Sequence, residues 1–564
     1  MEHFLKSPLE EVLQLSAPAA GAPGPPDAHA TLAALAAAAQ AHVPAYRAFA
    51  AAAGGDEGGG GAIPFTTKAN YFHAYPLSQR CWGGRLAAAD FVHFSSGSSG
   101  APTSWARSAD DEAEVLGDSF GCRERSSLCV VAFPLGSWVG GMFTTLCLRL
   151  LALKGYPLVV VTPGNKPPEI LQVVQALGPQ CDQTIILGYP PFVKGVIDEG
   201  VARGVEWGRY AIKLVLAGEV FSEEWRALVA ARAGVGEPHR AIASIFGTAD
   251  AGVIAQETPL SALIRRWLSS HPAAARELFG RDRLPTLAQY DPRNRLIEAH
   301  PDDGTLVISA LPGPGRRAAL DAAAGGGDCE LRGAPLIRYC IGDAGGVLSF
   351  DDLMSFLKAR GYDPIESGGD GVAPVRRQPF VFLFGRSFWA VSLFGANVYV
   401  DQVQPALEGA EDEGSGGSEG EGAAAGGGGA RAAAGPAPGG GGGAVAAAAV
   451  AATAAAVASA GSSGPDGKGA PLSELLTGKF VLFVAEDDDS NPRLALRAEL
   501  ARGAAGDGGL AARVARAVLR RLLRVSSEYG SYVPGDVQLP LVTLHAFGDP
   551  EHFPLGVKHK YTLT

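Results

Sequence analysis

The chain has 564 residues, 47% hydrophobic and 19% charged, enough to bury a large core and to fill more than one domain. A formal net charge of -11 argues against a general nucleic-acid or anionic-membrane surface and leaves room only for a local basic pocket, such as one for a nucleotide. Seven cysteines without a Cys-x-x-Cys pair fit neither a disulfide framework nor a cysteine zinc site, which points to a reducing compartment.

The first residues, "MEHFLKSPLEEV", carry Glu2, Glu10 and Glu11 and no apolar run, unlike a secretory signal or a basic transit peptide, so a cytoplasmic location is expected. Residues 1–60 read as a helical or linker segment. Next comes "FSSGSSGAPTSW" at 94–105, where Ser95, Ser96, Gly97, Ser98, Ser99 and Gly100 offer hydroxyls and close-approaching amides suited to a phosphate. It lacks the Gly-Lys-Ser/Thr ending of a Walker loop, and by itself the string also describes a flexible linker. The uncharged stretch 129–148 is long enough for a membrane span, but Pro134, Gly136, Gly140 and Gly141 divide it into strand, loop and helix.

From about residue 90 to 390, β-branched runs alternate with helical patterns: "PLVVVTPG", "EILQVVQAL", "QTIILGYPPF", "YAIKLVLAGE", "EEWRALVAA" and "AIASIFG". That rhythm predicts an α/β domain over 61–385 with parallel-rich sheets flanked by helices, and ligands beyond the carboxyl ends of its strands. Residues 409–471 turn to Gly, Ala and acidic low complexity, read as a disordered insertion. On either side, 386–408 and 472–564 are expected to form a small C-terminal α+β lid domain, with "VFLFGRS" counted among its strands. Its helix is predicted over 511–525: Val514, Val518, Leu522 and Val525 make an apolar stripe, and Arg513, Arg516, Arg520 and Arg524 a basic one.

Four of these stretches, in order, resemble motifs of the adenylate-forming superfamily. "SSGSSGAPT" is similar to its phosphate loop, "FGTADAG" to its Tyr-Gly-x-Thr-Glu motif, "LIRYCIGDAGG" to its Arg-Tyr-x-Thr-Gly-Asp segment, and "FGRSFWAVSLFGANVYVDQV" to its hinge. "PFTTK" at 64–68, Thr103, "AGE" at 217–219 and "GANVYV" are similar to the phenylacetate-CoA ligase family. The resemblance covers most of the chain outside the first fifty residues and the insertion.

This resemblance implies an AMP-forming acid-CoA ligase that uses ATP, Mg²⁺ and CoA, with a small-molecule carboxylic acid and CoA as its partners. It assigns the serine/glycine loop to pyrophosphate, and Gly218, Glu219, Phe246, Gly247 and Thr248 to the adenine and α-phosphate. Asp343 goes to the ribose hydroxyls, Arg386 to the nucleotide, and Asp250 to catalysis and the metal. Lys558 or Lys560 would be the C-terminal catalytic lysine, and Phe133, Gly136, Trp138, Tyr189 and Phe192 would line an acyl pocket. Bland alternatives stand beside these roles: Asp343 as a turn residue, Arg386 as a surface ion-pair partner, the aromatics as core. One departure is that Phe388 and Trp389 replace the family's acidic hinge residues. Transfer to an amine or a carrier thiol, or a catalytically silent nucleotide-fold binding protein, therefore remain open readings.

Overall fold

The computed structural model describes residues 27–53, 63–95, 103–107, 122–136, 139–281, 284–313, 316–372, 375–386, 390–408, 470–487, 489–553 and 562. The chain divides into two compact units, Met1–Ser387 and Phe388–Thr564. The low-complexity stretch up to residue 469 lies outside the described residues.

In the first unit, β1 (Phe91–Ser95) and β2 (Thr103–Arg107) form a hairpin beside an eleven-stranded sheet. The strands of that sheet are β3 (Ser127–Val131), β4 (Leu158–Val161), β5 (Gln183–Gly188), β6 (Ile212–Ala217), β7 (Ile242–Thr248), β8 (Gly252–Gln256), β9 (Thr286–Gln289), β10 (Arg295–Ala299), β11 (Thr305–Ala310), β12 (Tyr339–Leu348) and β13 (Phe380–Arg386). Their spatial order is β10-β11-β12-β13-β9-β8-β7-β6-β5-β3-β4. Pairing is parallel from β4 to β7. From β7 onward it is antiparallel.

The expected parallel-rich architecture thus holds for one half of the sheet, and the whole sheet is mixed. The cause lies in the connections. Strands β3 to β7 are joined through helices, which return the chain to run in the same direction. Only three residues separate Thr248 from Gly252, and so short a link permits only an antiparallel neighbour. "VFLFGRS" is a second correction: β13 sits inside the large sheet, hydrogen-bonded to both β12 and β9. Val381 on one face enters the core with Tyr339, while Phe380 and Phe384 on the other pack with Leu353 and Leu357.

The helices that matter most are α1 (Ala28–His42), α2 (Pro44–Ala52), α3 (Val139–Leu153), α4 (Pro167–Leu177), α5 (Pro190–Ala202), α6 (Glu223–Arg232) and α7 (Pro259–Ser269). Strand residues alternate between two cores: Leu128, Val130, Ile186, Leu214 and Leu216 meet α4, α5 and α6, whereas Cys129, Val131, Ile185 and Val215 meet α3. Helices α1 and α2 do not stand apart as a linker, because Leu35, Tyr46 and Phe49 join the core around Tyr339.

The uncharged stretch resolves into β3, a loop and α3, as Pro134 and its glycines predict. Gly141 lets the helix begin there, since a Cβ on it would lie 2.3 Å from the Pro134 carbonyl oxygen. No helix among the described residues is long and apolar enough to cross a membrane.

The second unit has a hairpin, β14 (Ala390–Leu393) with β15 (Ala396–Tyr399), then α8 (Val400–Leu407). A three-stranded mixed sheet follows from β16 (Leu476–Glu486), β17 (Pro492–Leu500) and β18 (Leu541–His545). Between β17 and β18 lies α9 (Gly508–Val525), started by Asp507, whose side chain accepts from the Leu510 amide at 2.7 Å. Val514, Val518 and Leu522 are buried, and Arg516, Arg520 and Arg524 are exposed, as their spacing predicts, while Val525 and Arg513 at the ends of the two stripes are half-buried.

Candidate active site

The carboxyl ends of β3, β5, β6 and β7 lie side by side, and each carries residues singled out in the sequence. Phe133 and Gly136 follow β3, Tyr189 follows β5, and Gly218 and Glu219 follow β6. Phe246, Gly247 and Thr248 close β7. Gly218 turns with φ of 94°, which a glycine accepts without strain. Phe133 and Tyr189 pack edge-on, ring centroids 5.1 Å apart, in the core beneath α3. Phe192 packs in the core on the other face of the sheet, so it is not gathered with them.

Asp250 lies in the β7–β8 turn and is 1% exposed. Its Oδ2 accepts a hydrogen bond from the Tyr339 hydroxyl at 2.7 Å and lies 3.2 Å from the Lys68 ammonium. The Arg107 guanidinium donates to its backbone carbonyl. Tyr339 opens β12, four strand positions from β7, which in a flat sheet would be about 19 Å away. The contact exists because the antiparallel half of the sheet curls back on itself. Arg295 on β10 shows the same closure, donating through Nε to the Val253 carbonyl on β8 at 3.0 Å.

Lys68 comes from "PFTTK", whose Thr66 pairs with Tyr339 as an isolated bridge beside β12. The Thr67 hydroxyl accepts from the Asn70 backbone amide at 3.0 Å, and the Asn70 side-chain Oδ1 accepts from the Thr67 backbone amide at 2.7 Å, which fixes the turn that presents Lys68. Nothing in the sequence tied Lys68 or Tyr339 to Asp250, because such contacts depend on the curl of the sheet.

These surroundings do not suit Asp250 as a magnesium ligand. Magnesium wants near-octahedral oxygen ligation with several waters kept. Here one carboxylate oxygen already serves an ammonium and a phenol, burial is nearly complete, and Lys68 and Arg107 bring positive charge to the same residue. The carboxylate instead ties β12 and the Lys68 turn to the β7–β8 turn.

Asp343 is 4% exposed, within β12 and directly opposite Arg386 on β13. The register shifts just after it, between Ala344 and Gly345. A Cβ on Gly345 would sit 2.2 Å from the Phe382 carbonyl oxygen, so the glycine of "GDAGG" is a steric requirement of strand packing. His93 on β1 reaches the same turn as Asp250, its Nε2 lying 2.6 Å from the Ala249 carbonyl. Burial, followed by the nearby Arg107 charge, pushes this imidazole down to about 4, so it is neutral at ordinary pH and donates that bond through Nε2.

Ser95 ends β1, buried at 6%, and its hydroxyl accepts from the Trp105 indole at 3.0 Å. Ser96, Gly97, Ser98, Ser99, Gly100, Trp138, Lys558 and Lys560 lie outside the described residues, as does the Arg386 side chain.

Among solved structures, the chain is similar to 2-hydroxyisobutyryl-CoA ligase in complex with 2-HIB-AMP and CoA in the thioesterification state. The TM-score is 0.52 at 14% identity, covering 96% of this chain and 90% of that one. The same ligase in the postadenylation state with 2-HIB-AMP matches with a TM-score of 0.44 at 14% identity, covering 96% and 89%. Amide bond synthetase McbA from Marinactinospora thermotolerans matches with 0.40 at 14% identity, covering 86% and 69%. No sequence-family model matches the chain, and no curated protein does. The α/β architecture, with its large mixed sheet and its small C-terminal mixed sheet, is thus similar in fold to that 2-hydroxyisobutyryl-CoA ligase in the thioesterification state.

Proposed function

We propose that the protein activates a carboxylic acid with ATP and then passes the acyl group to the thiol of CoA, in the manner of a phenylacetate-CoA ligase. In the first step a carboxylate oxygen attacks the α-phosphorus, the bond to the β-phosphate bridge breaks, and pyrophosphate leaves. In the second, the CoA sulfur, having lost its proton, attacks the acyl carbon and AMP departs. The observation that carries this reading is the gathering of Gly218, Glu219, Phe246, Gly247 and Thr248 at adjacent strand ends, within a fold that matches an acyl-CoA ligase over nearly its whole length. Asp343, buried in β12, would accept from the ribose hydroxyls. The serine/glycine loop would hold the leaving pyrophosphate through amides and hydroxyls. A C-terminal lysine, Lys558 or Lys560, would steady the charge that builds on the reacting carboxylate.

Phe388 and Trp389, in place of acidic hinge residues, favour testing a second acceptor. The decisive measurement is pyrophosphate release from magnesium ATP over a panel of carboxylic acids, with CoA, with an amine, and with neither, followed by mass analysis. Acid-dependent pyrophosphate and an acyl-CoA product are expected. Orthophosphate and ADP would overturn the adenylation step, and an amide product would replace CoA as the acceptor.

Asp343→Ala is expected to weaken ATP binding by about 1.5 to 3 kcal/mol in calorimetry, the range for hydrogen bonds to a charged group. Unchanged affinity would return Asp343 to a strand residue with no part in the nucleotide site.

A further inference from the structure

The small unit holds a second constellation, which the reaction above does not use. His545 is the last residue of β18, and the chain then turns back through residues 546–553. Asp549 organises this turn: its Oδ1 accepts from the amides of Glu551 at 3.0 Å and His552 at 2.9 Å. Its carbonyl accepts from the Phe553 amide at 2.8 Å, and Phe553 itself is 1% exposed. The turn therefore has an anchored end, and it folds the His552 ring over that of His545, centroids 4.2 Å apart and tilted by 33°.

Both imidazoles aim at the same carboxylate. His552 Nδ1 is 3.2 Å from Asp549 Oδ1, and His545 Nδ1 is 3.6 Å from Asp549 Oδ2. One donor atom from each of the three side chains lies within 4.8 Å of the others. Ligand atoms around a tetrahedral ion with bonds of about 2.1 Å stand roughly 3.4 Å apart, and each imidazole nitrogen stands at about that spacing from one oxygen of the carboxylate, His552 from Oδ1 and His545 from Oδ2. His545 Nε2 faces the Thr543 hydroxyl at 3.3 Å, the kind of outer contact that fixes a tautomer and leaves Nδ1 as the donor. The three side chains are 17–25% exposed, sheltered yet open to an ion from solvent.

We propose that His545, Asp549 and His552 form a binding site for a divalent first-row transition ion of the zinc type, with a fourth position left to solvent. The donor set decides the class of ion, since two imidazoles and one carboxylate suit zinc or cobalt, whereas magnesium and calcium take all-oxygen shells. The other charges facing the group are Glu551, 3.9 Å from His552 Nε2, and Arg497.

The test uses the full-length chain, stripped of metal with EDTA and titrated with zinc chloride by calorimetry and with cobalt chloride by visible absorption. The parent is expected to take up one tight equivalent and to show the d–d bands of tetrahedral cobalt. His545→Gln/His552→Gln is expected to lose that equivalent, its affinity falling by at least about 10- to 100-fold, the loss seen even for outer-shell partners. Because a histidine variant could disturb the turn, Asp549→Asn is measured beside it, with metal-free melting curves for all three proteins. A zinc-dependent rise in Tm in the parent, absent from the variants at equal metal-free Tm, supports the site. Absence of tight binding to the parent, or identical zinc affinity and cobalt spectra in parent and variants, overturns it.

Discussion

Arg226→Met is expected to lower the unfolding free energy of the large unit by about 3–5 kcal/mol, because it removes one partner from a buried ionic network. Arg226 lies on α6 with its side chain 2% exposed. Its Nε donates to Glu223 Oε2 at 3.0 Å, and its Nη2 donates to Glu257 Oε1 at 2.8 Å and Oε2 at 3.0 Å. Arg265 on α7 completes the set: it pairs with Glu223 and donates through Nε to the Pro285 carbonyl at 2.8 Å. Two cations and two anions thus share a site that water hardly reaches.

Glu257 also accepts from the Ser244 amide of β7 at 2.7 Å, so the network clamps β7 against the chain that leaves β8. The turn between those strands carries Thr248 and Asp250, and loosening the clamp should also slow pyrophosphate release. Urea unfolding gives the stability change. The double variant Arg226→Met/Glu257→Leu should recover much of the loss, since it also removes the Glu257 carboxylate that the single variant leaves buried without its cation, while Glu223 keeps Arg265. Parent-like stability of the single variant would show that the network carries no such load.

A pH dependence of comparable size is expected from His93. The folded imidazole titrates at about 4, against an ordinary value near 6.5, so between these limits the unfolded chain binds a proton that the folded chain refuses. Its contribution is present in full above about pH 6.5 and is lost as pH falls through that window, roughly 3 kcal/mol in all for a shift of this size. His93→Gln can still donate to the Ala249 carbonyl but cannot take up the proton. Urea midpoints from pH 4 to 7 should therefore fall less steeply with acid in the variant than in the parent. Parallel curves would mean that His93 titrates normally in the folded state. His239 and His545 are lowered as well, but they contribute equally to both proteins.

Several features of this protein were legible in the chain because they are local. The continuous apolar run "TIILG" became an inner parallel strand, where both faces are covered and no alternation is needed, whereas "LVVV" became the partly exposed edge strand β4. The spacing of valines and arginines in 511–525 set the faces of α9, since a helix turns by a constant angle per residue. Gly218, Phe246 and Asp250 fell at strand ends because a turn signal following an apolar run marks where a strand must stop.

Tertiary structure alone decided what those residues meet. Asp250 reads in sequence as a metal-facing carboxylate, and the curl of the sheet surrounds it instead with Tyr339 and with Arg107 and Lys68, the last two drawn from positions 143 and 182 residues before it. Tyr339 itself is 89 residues distant in the other direction along the chain. The antiparallel direction of β8 rested on a three-residue link read only as a motif, and the place of β13 on the order of strands, which hydropathy does not encode. The four-residue ionic clamp and the His545–Asp549–His552 group likewise drew no notice, because single charged residues and histidines carry no periodic signal. Periodicity records which face of an element is buried. The partner it is buried against follows from chain direction, strand order and sheet curvature, and these are set by the packing of the whole unit.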